Sequence, residues 1–139
     1  MVRDMKALKF IFAAILLLSF VSCKEEIQPY DHTDVEISAL LAINPVTGDY
    51  IDGVIDQNAG TIVFKVARAD ASKYDLTKMK LYATVFFDAL ITPKLDGLFD
   101  ITKDEEGNPR LKLTVTSLMH PNDPEIKKEY EVYGYVSAF

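Results

Sequence analysis

Glu129-Tyr-Glu-Val-Tyr-Gly-Tyr-Val136 decides the fold class of this 139-residue chain. Tyr130, Val132, Gly134 and Val136 alternate with Glu129, Glu131, Tyr133 and Tyr135, a period of two that fits a strand with one buried and one wet face. Upstream, Leu111, Leu113 and Val115 alternate with Lys112, Thr114 and Thr116 in the same way. Farther back, Ile62, Phe64 and Val66 alternate with Thr61, Val63 and Lys65. Weaker strand signals cover Val35–Ile43, Tyr50–Asp56, Met79–Phe87 and Phe99–Ile101. Turn formers separate them: Asn44-Pro-Val-Thr-Gly-Asp49, Gln57-Asn-Ala-Gly60, Asp104-Glu-Glu-Gly-Asn-Pro109 and Pro121-Asn-Asp-Pro124. A helical turn fits only in Ala69–Met79, with Asp70 or Ser72 as its cap. About seven short strands, with no helix long enough for βαβ crossovers, predict an all-β chain: a single antiparallel β-sandwich over residues 35–139.

The N-terminus has a different grain. Met1 to Lys9 is basic, and Phe10 to Val21 is an apolar run of twelve residues. A bilayer span needs roughly 20 apolar residues, so the run has the length of a signal-peptide core, and residues 1–22 read as an export signal. Three of the 15 basic residues but only one of the 21 acidic ones lie in that segment, so the remainder is more acidic than the whole chain, which carries −6. Such a balance excludes nucleic acid as a partner, because that requires clustered Lys and Arg. One Cys, two His and no Trp exclude a disulfide scaffold and a Cys-rich zinc site.

Phe20-Val21-Ser22-Cys23 resembles a bacterial lipobox, with Phe20 standing where Leu is commoner. The resemblance implies that Cys23 is cut free at its amine and acylated, and several acyl chains hold a domain to a membrane where one is marginal. The alternative is an ordinary secretory signal followed by a free Cys. Cys23-Lys-Glu-Glu26 is similar to the surface-export signals of Bacteroidetes lipoproteins, which implies the outer membrane with the chain facing outside rather than the periplasm. Residues 23–34 then form a lipidated tether.

The order of segments resembles small immunoglobulin-like domains of unknown function in Bacteroidetes surface lipoproteins, similar to N-terminal modules of outer-membrane glycan-uptake proteins. Tyr50-Ile-Asp-Gly-Val-Ile-Asp56 leads into Gly60-Thr-Ile-Val-Phe-Lys-Val66 like that family's second hairpin. Asp75-Leu-Thr-Lys78 matches a loop that drops a Leu into the core end. Ala89-Leu-Ile-Thr-Pro93 looks like its Ala-x-Ile-x-Pro turn, and Glu129-Tyr-Glu-Val132 lies in the closing strand. Leu118–Lys127 departs from the family's tight turn. The resemblance implies fold and habitat, with no shared catalytic motif.

The residues themselves offer little chemistry. His32 falls in the tether, His120 in a Pro-rich loop, and no Gly-x-Ser-x-Gly frame surrounds any Ser, so a nucleophilic triad is not expected. Asp49, Asp52 and Asp56, and Asp96 and Asp100, flank turns, where Asp solvates strand ends; a glycosidase pair would also need a cleft. Asp49-x-x-Asp52-Gly-x-x-Asp56 fails the alternating donor spacing of an EF-hand. No catalytic residue, cofactor or metal ligand is nominated. Tyr133 and Tyr135 share a face of the last strand, and Tyr82 shares one with Thr84 and Phe86. If those strands pair, the three tyrosines form a ridge for a glycan or protein partner; ordinary cross-strand packing is the other reading.

The sequence therefore predicts a non-catalytic envelope lipoprotein, a binding or accessory subunit of an outer-membrane assembly. The glycan-uptake setting comes from the resemblance. Alternatives are an adhesion or structural protein, or a small inhibitor of an external enzyme acting through the Leu118–Lys127 loop.

Overall fold

The computed structural model describes residues 32–139, in which the alternating segments form two sheets. The strands are β1 (Ala39–Ile43), β2 (Tyr50–Asp52), β3 (Val54–Asp56), β4 (Thr61–Val66), β5 (Met79–Thr84), β6 (Ala89–Thr92), β7 (Leu98–Phe99), β8 (Leu111–Ser117) and β9 (Lys127–Val136). One sheet has the order β2-β1-β5-β7 and the other β3-β4-β9-β8-β6. Every pair is antiparallel except β4 with β9, which run side by side in the same direction. The expected all-β sandwich is the fold. The Cys23 assignment lies outside the described residues.

The three clean alternations become β4, β8 and β9. Ile62, Phe64, Leu113, Val115, Tyr130 and Val132 point inward and lose all solvent contact, facing Leu40, Ala42, Met79 and Leu81 of the other sheet. Removal of apolar surface from water is the main favourable term in such a core. Val35 and Ile37 are buried too, although the β1 ladder begins only at Ala39. Side chains replace the missing ladder: the Tyr130 hydroxyl accepts the Ile37 N–H at 3.0 Å, and Gln57 Nε2 donates to the Ile37 carbonyl at 2.8 Å.

Tyr50–Asp56, expected as one strand, is two strands in different sheets with Gly53 as the crossing point. The Gly53 N–H donates to the Leu40 carbonyl at 2.9 Å. A Cβ there would lie 2.7 Å from Ile62 Cγ2 and 3.1 Å from the Leu40 oxygen, so the chain passes between the sheets only without a side chain. Sandwich corners are commonly made by strands that change sheet in this way.

Ala89–Pro93, expected as a turn, is edge strand β6, paired with Thr114–Ser117 and ending at a cis Thr92–Pro93 peptide. Pro93 has no N–H to extend a ladder, which suits an edge. The helical turn is a 3-10 helix, Arg68–Lys73, preceded by Ala67. Neither Asp70 nor Ser72 caps it; the Asp70 carboxylate instead pairs with Lys73 Nζ at 3.2 Å. Leu76 packs half-buried against the core.

Candidate functional site

The tyrosines nominated from the sequence do not form one ridge. Tyr82 lies on β5 and Tyr133 and Tyr135 on β9, which belong to different sheets and do not pair. Their neighbours Leu81, Val132 and Gly134 point into the core, so the tyrosines face outward from opposite sides of the sandwich. The ridge expectation fails because it required β5 and β9 to be neighbours.

On the five-stranded side, Val54, Val63 and Tyr133 are consecutive cross-strand partners on β3, β4 and β9. Lys103 Nζ stands 4.1 Å from the Tyr133 ring centroid, so one face of that ring carries an ammonium group, a favourable cation–π arrangement. A sugar stacking on that face would have to displace it. Tyr135 is 45% exposed and pairs in register with Lys65.

The four-stranded side is more apolar. Asp52, Leu41 and Tyr82 form one cross-strand row, and Tyr50, Ile43, Lys80 and Leu98 form the next. Tyr82 is 62% exposed, Tyr50 and Leu98 are also exposed, and Leu41 and Ile43 lie half-buried between them. The cause is β1 itself: Ala39-Leu-Leu-Ala-Ile43 is apolar on both faces, so Leu40 and Ala42 fill the core while Leu41 and Ile43 face out. A continuous apolar run is the signal that sequence reasoning passed over, because it looks for alternation. Contiguous exposed apolar surface of this kind marks contact sites.

Tyr82 also stands at a break in the sheet. β7 covers only Met79 and Lys80 of β5, so Leu81–Thr84 has no strand partner on that side among the described residues. The outer side of β6 is likewise open. Between these two edges runs an open groove of about 330 Å³, lined by Leu81, Tyr82, Ala83, Leu90, Ile91 and Lys94 among others. Chemically, the arrangement offers unpaired backbone donors and acceptors flanked by apolar side chains. An extended peptide adding to a sheet edge needs both.

Many carboxylates of the domain are engaged locally. Asp56 accepts the N–H groups of Asn58 and Ala59 at 3.0 Å, and Asp104 those of Glu106 and Asn108 at 2.9 and 2.8 Å. Asp100 accepts the N–H and hydroxyl of Thr102. Asp75 does the same with Thr77, at 3.0 and 2.5 Å. The Thr77 hydroxyl, then its N–H, holds the Asp75 carboxyl below the usual carboxylate range. Asp70, by hydrogen bond and charge, raises the Lys73 ammonium above its usual value. Among the described residues, no three His, Cys, Asp or Glu side chains converge as a metal site.

No protein-family model matches the sequence, and no curated protein does. Two solved structures are similar to it. One is a Bacteroides fragilis protein described as secreted, 20% identical, with 78% of this chain and 99% of that one covered at a TM-score of 0.48. The other is a DUF4623 family protein from Bacteroides eggerthii, also 20% identical, at a TM-score of 0.47; the match covers 70% of this chain but 20% of that one.

Proposed function

We propose that this chain is a non-catalytic, lipid-anchored protein of the bacterial outer membrane, and that its sandwich domain is a binding or accessory subunit of a membrane assembly. Acyl chains on Cys23 confine the domain to the surface, and residues 23–34 set its reach. The observation that carries the reading is the position of Tyr82, where an exposed apolar sheet face meets an open strand edge. A protein partner adds an extended strand along Leu81–Thr84 and covers Tyr82 and Leu41. A glycan-capture assembly is the setting that the family resemblance suggests.

The test is affinity capture of the acylated, C-terminally tagged protein from gently solubilised outer membranes, with Cys23→Ala and Tyr82→Ser as comparisons. A stoichiometric membrane partner that is lost with Tyr82→Ser supports the reading. Recovery of the bait alone overturns it.

A further inference from the structure

The groove beside Tyr82 has two edges, and the backbone groups they present differ. In an antiparallel ladder, successive residues turn their N–H and C=O alternately toward one neighbouring strand and the other. The Gly53 N–H bonds the Leu40 carbonyl and the Asn44 N–H the Asp49 carbonyl, so Leu40 and Ala42 of β1 face β2. Leu41 and Ile43 therefore bond to β5, where Tyr82 and Lys80 are their partners in register. The Thr84 carbonyl, which takes the Ser38 N–H at 2.9 Å, points the same way. The N–H and C=O of Leu81 and Ala83 are thus directed at the open edge. Among the described residues, nothing bonds them.

The edge of β6 is largely closed. The Asp88 carbonyl takes the Leu118 N–H at 2.9 Å, so Leu90 and Thr92 bond to β8 while Ala89, Ile91 and Pro93 face outward. Ala89 already donates to the Phe86 carbonyl at 3.0 Å, and Pro93 has no N–H. An incoming strand finds two complete N–H and C=O pairs on β5 and one, at Ile91, on β6.

The side chains around the groove define what such a strand carries. Leu81 is buried, and Ala83, Ile91 and Leu95 are half-buried along the groove. A strand seated on β5 turns the residues opposite Leu81 and Ala83 onto this apolar lining and stands the residue between them beside Tyr82. Lys94 is the one charged side chain lining the groove, and Lys80 shares the outer face of β5 with Tyr82. Every salt bridge among the described residues joins other groups, and even Asp96, two residues from Lys94, is not its partner. In a chain that carries −6, two uncompensated lysines beside an apolar groove favour a carboxylate there.

We propose that the partner segment is an acidic-flanked peptide strand that adds antiparallel to β5 at Leu81 and Ala83, with apolar residues at alternate positions and carboxylates for Lys80 and Lys94. Its direction is that of β7, which lies antiparallel along the same edge. The inference rests on strand addition at the Tyr82 face and adds to it the edge, the bonding residues and the chemistry of the partner. Backbone bonds and apolar contacts hold the strand; the lysines select it, since exposed ion pairs contribute little affinity each.

The test uses the full acylated protein in detergent micelles. The probe is a capped heptapeptide with valine at its third and fifth positions, threonine between and beside them, and glutamate at both ends. Amide exchange followed by NMR reads the edge. In the free protein the Leu81 and Ala83 amides exchange faster than that of Tyr82, and peptide slows both severalfold. N-methylation of the two valines removes the donors that face β5 and abolishes binding. Lysine in place of the glutamates weakens binding severalfold, and Lys94→Glu reverses that preference. Protection of Ile91 in place of Leu81 and Ala83 overturns the edge, and binding that survives valine N-methylation overturns strand addition. Equal binding of the glutamate and lysine peptides overturns the acidic partner. A protein that ignores the peptide yet captures a membrane partner through Tyr82 overturns this inference alone. Capture of no partner, with the bait recovered by itself, overturns the reading beneath it.

Discussion

Tyr130 on β9 donates its hydroxyl proton to Gln57 Oε1 across 2.6 Å, inside a core where the tyrosine has no solvent contact. The same oxygen of Tyr130 accepts the Ile37 N–H, and Lys128 Nζ adds a 2.7 Å bond to Gln57 Oε1. One hydroxyl therefore ties the segment before β1 and the β3–β4 turn to the closing strand. Replacing Tyr130 with Phe keeps the ring but leaves the Ile37 N–H without its acceptor. Loss of a buried partner costs about 1–3 kcal/mol, so Tyr130→Phe lowers the urea midpoint without changing the slope of the transition.

Gly53 separates β2 from β3 with a contact that admits no methyl group. Gly53→Ala forces Ile62 and the Leu40 backbone apart, and overpacking of this kind typically costs about 1–3 kcal/mol. Gly97→Ala is the control, since nothing lies within 4 Å of its would-be Cβ. Thermal melts of the two variants should separate clearly. Equal melting temperatures would mean that the sheet crossing does not depend on Gly53.

Much of the sandwich is readable in strands whose two faces differ. Lys112, Thr114 and Glu131 against Leu113, Val115 and Val132 leave no doubt about the inward side. The sheet crossing is hidden because Gly53 preserves the phase: Ile51 and Ile55 both pack against the core, and Asp52 and Val54 both face out. β6 is hidden because Pro93 reads as a turn when it marks a strand's end. The candidate face was legible at Tyr82 alone. Its other members meet Tyr82 through β1: Ile43 reaches Tyr50 across the local turn after β1, but Leu41 pairs with Tyr82 from a distant segment, and local pattern does not encode that register.

Asp75 supplies a pH test. The Thr77 hydroxyl and N–H favour its charged form, so its folded-state pKa is depressed. A depressed carboxylate contributes stability that is present above its unfolded value and is lost as pH falls through the folded one. Thr77→Val removes the hydroxyl donor and keeps the N–H. The Asp75 carboxyl then titrates closer to the ordinary carboxylate range, which side-chain carbon shifts followed by NMR from neutral to acidic pH would detect. An unchanged Asp75 titration would remove the hydroxyl as its cause.

Tyr82 and Tyr135 stand on opposite outer faces, which makes them a matched pair for asking which face is used. Neither supports the core, and surface substitutions away from packed features usually stay within about 0.5 kcal/mol. Tyr82→Ser and Tyr135→Ser should therefore melt close to the parent. If the four-stranded face is the contact surface, Tyr82→Ser loses partner capture from solubilised membranes while Tyr135→Ser keeps it. Loss confined to Tyr135→Ser would move the contact to the five-stranded face. Lys103→Ala then becomes the next variant: it uncovers the Tyr133 ring, and a glycan that stacks there should bind more tightly in equilibrium titrations.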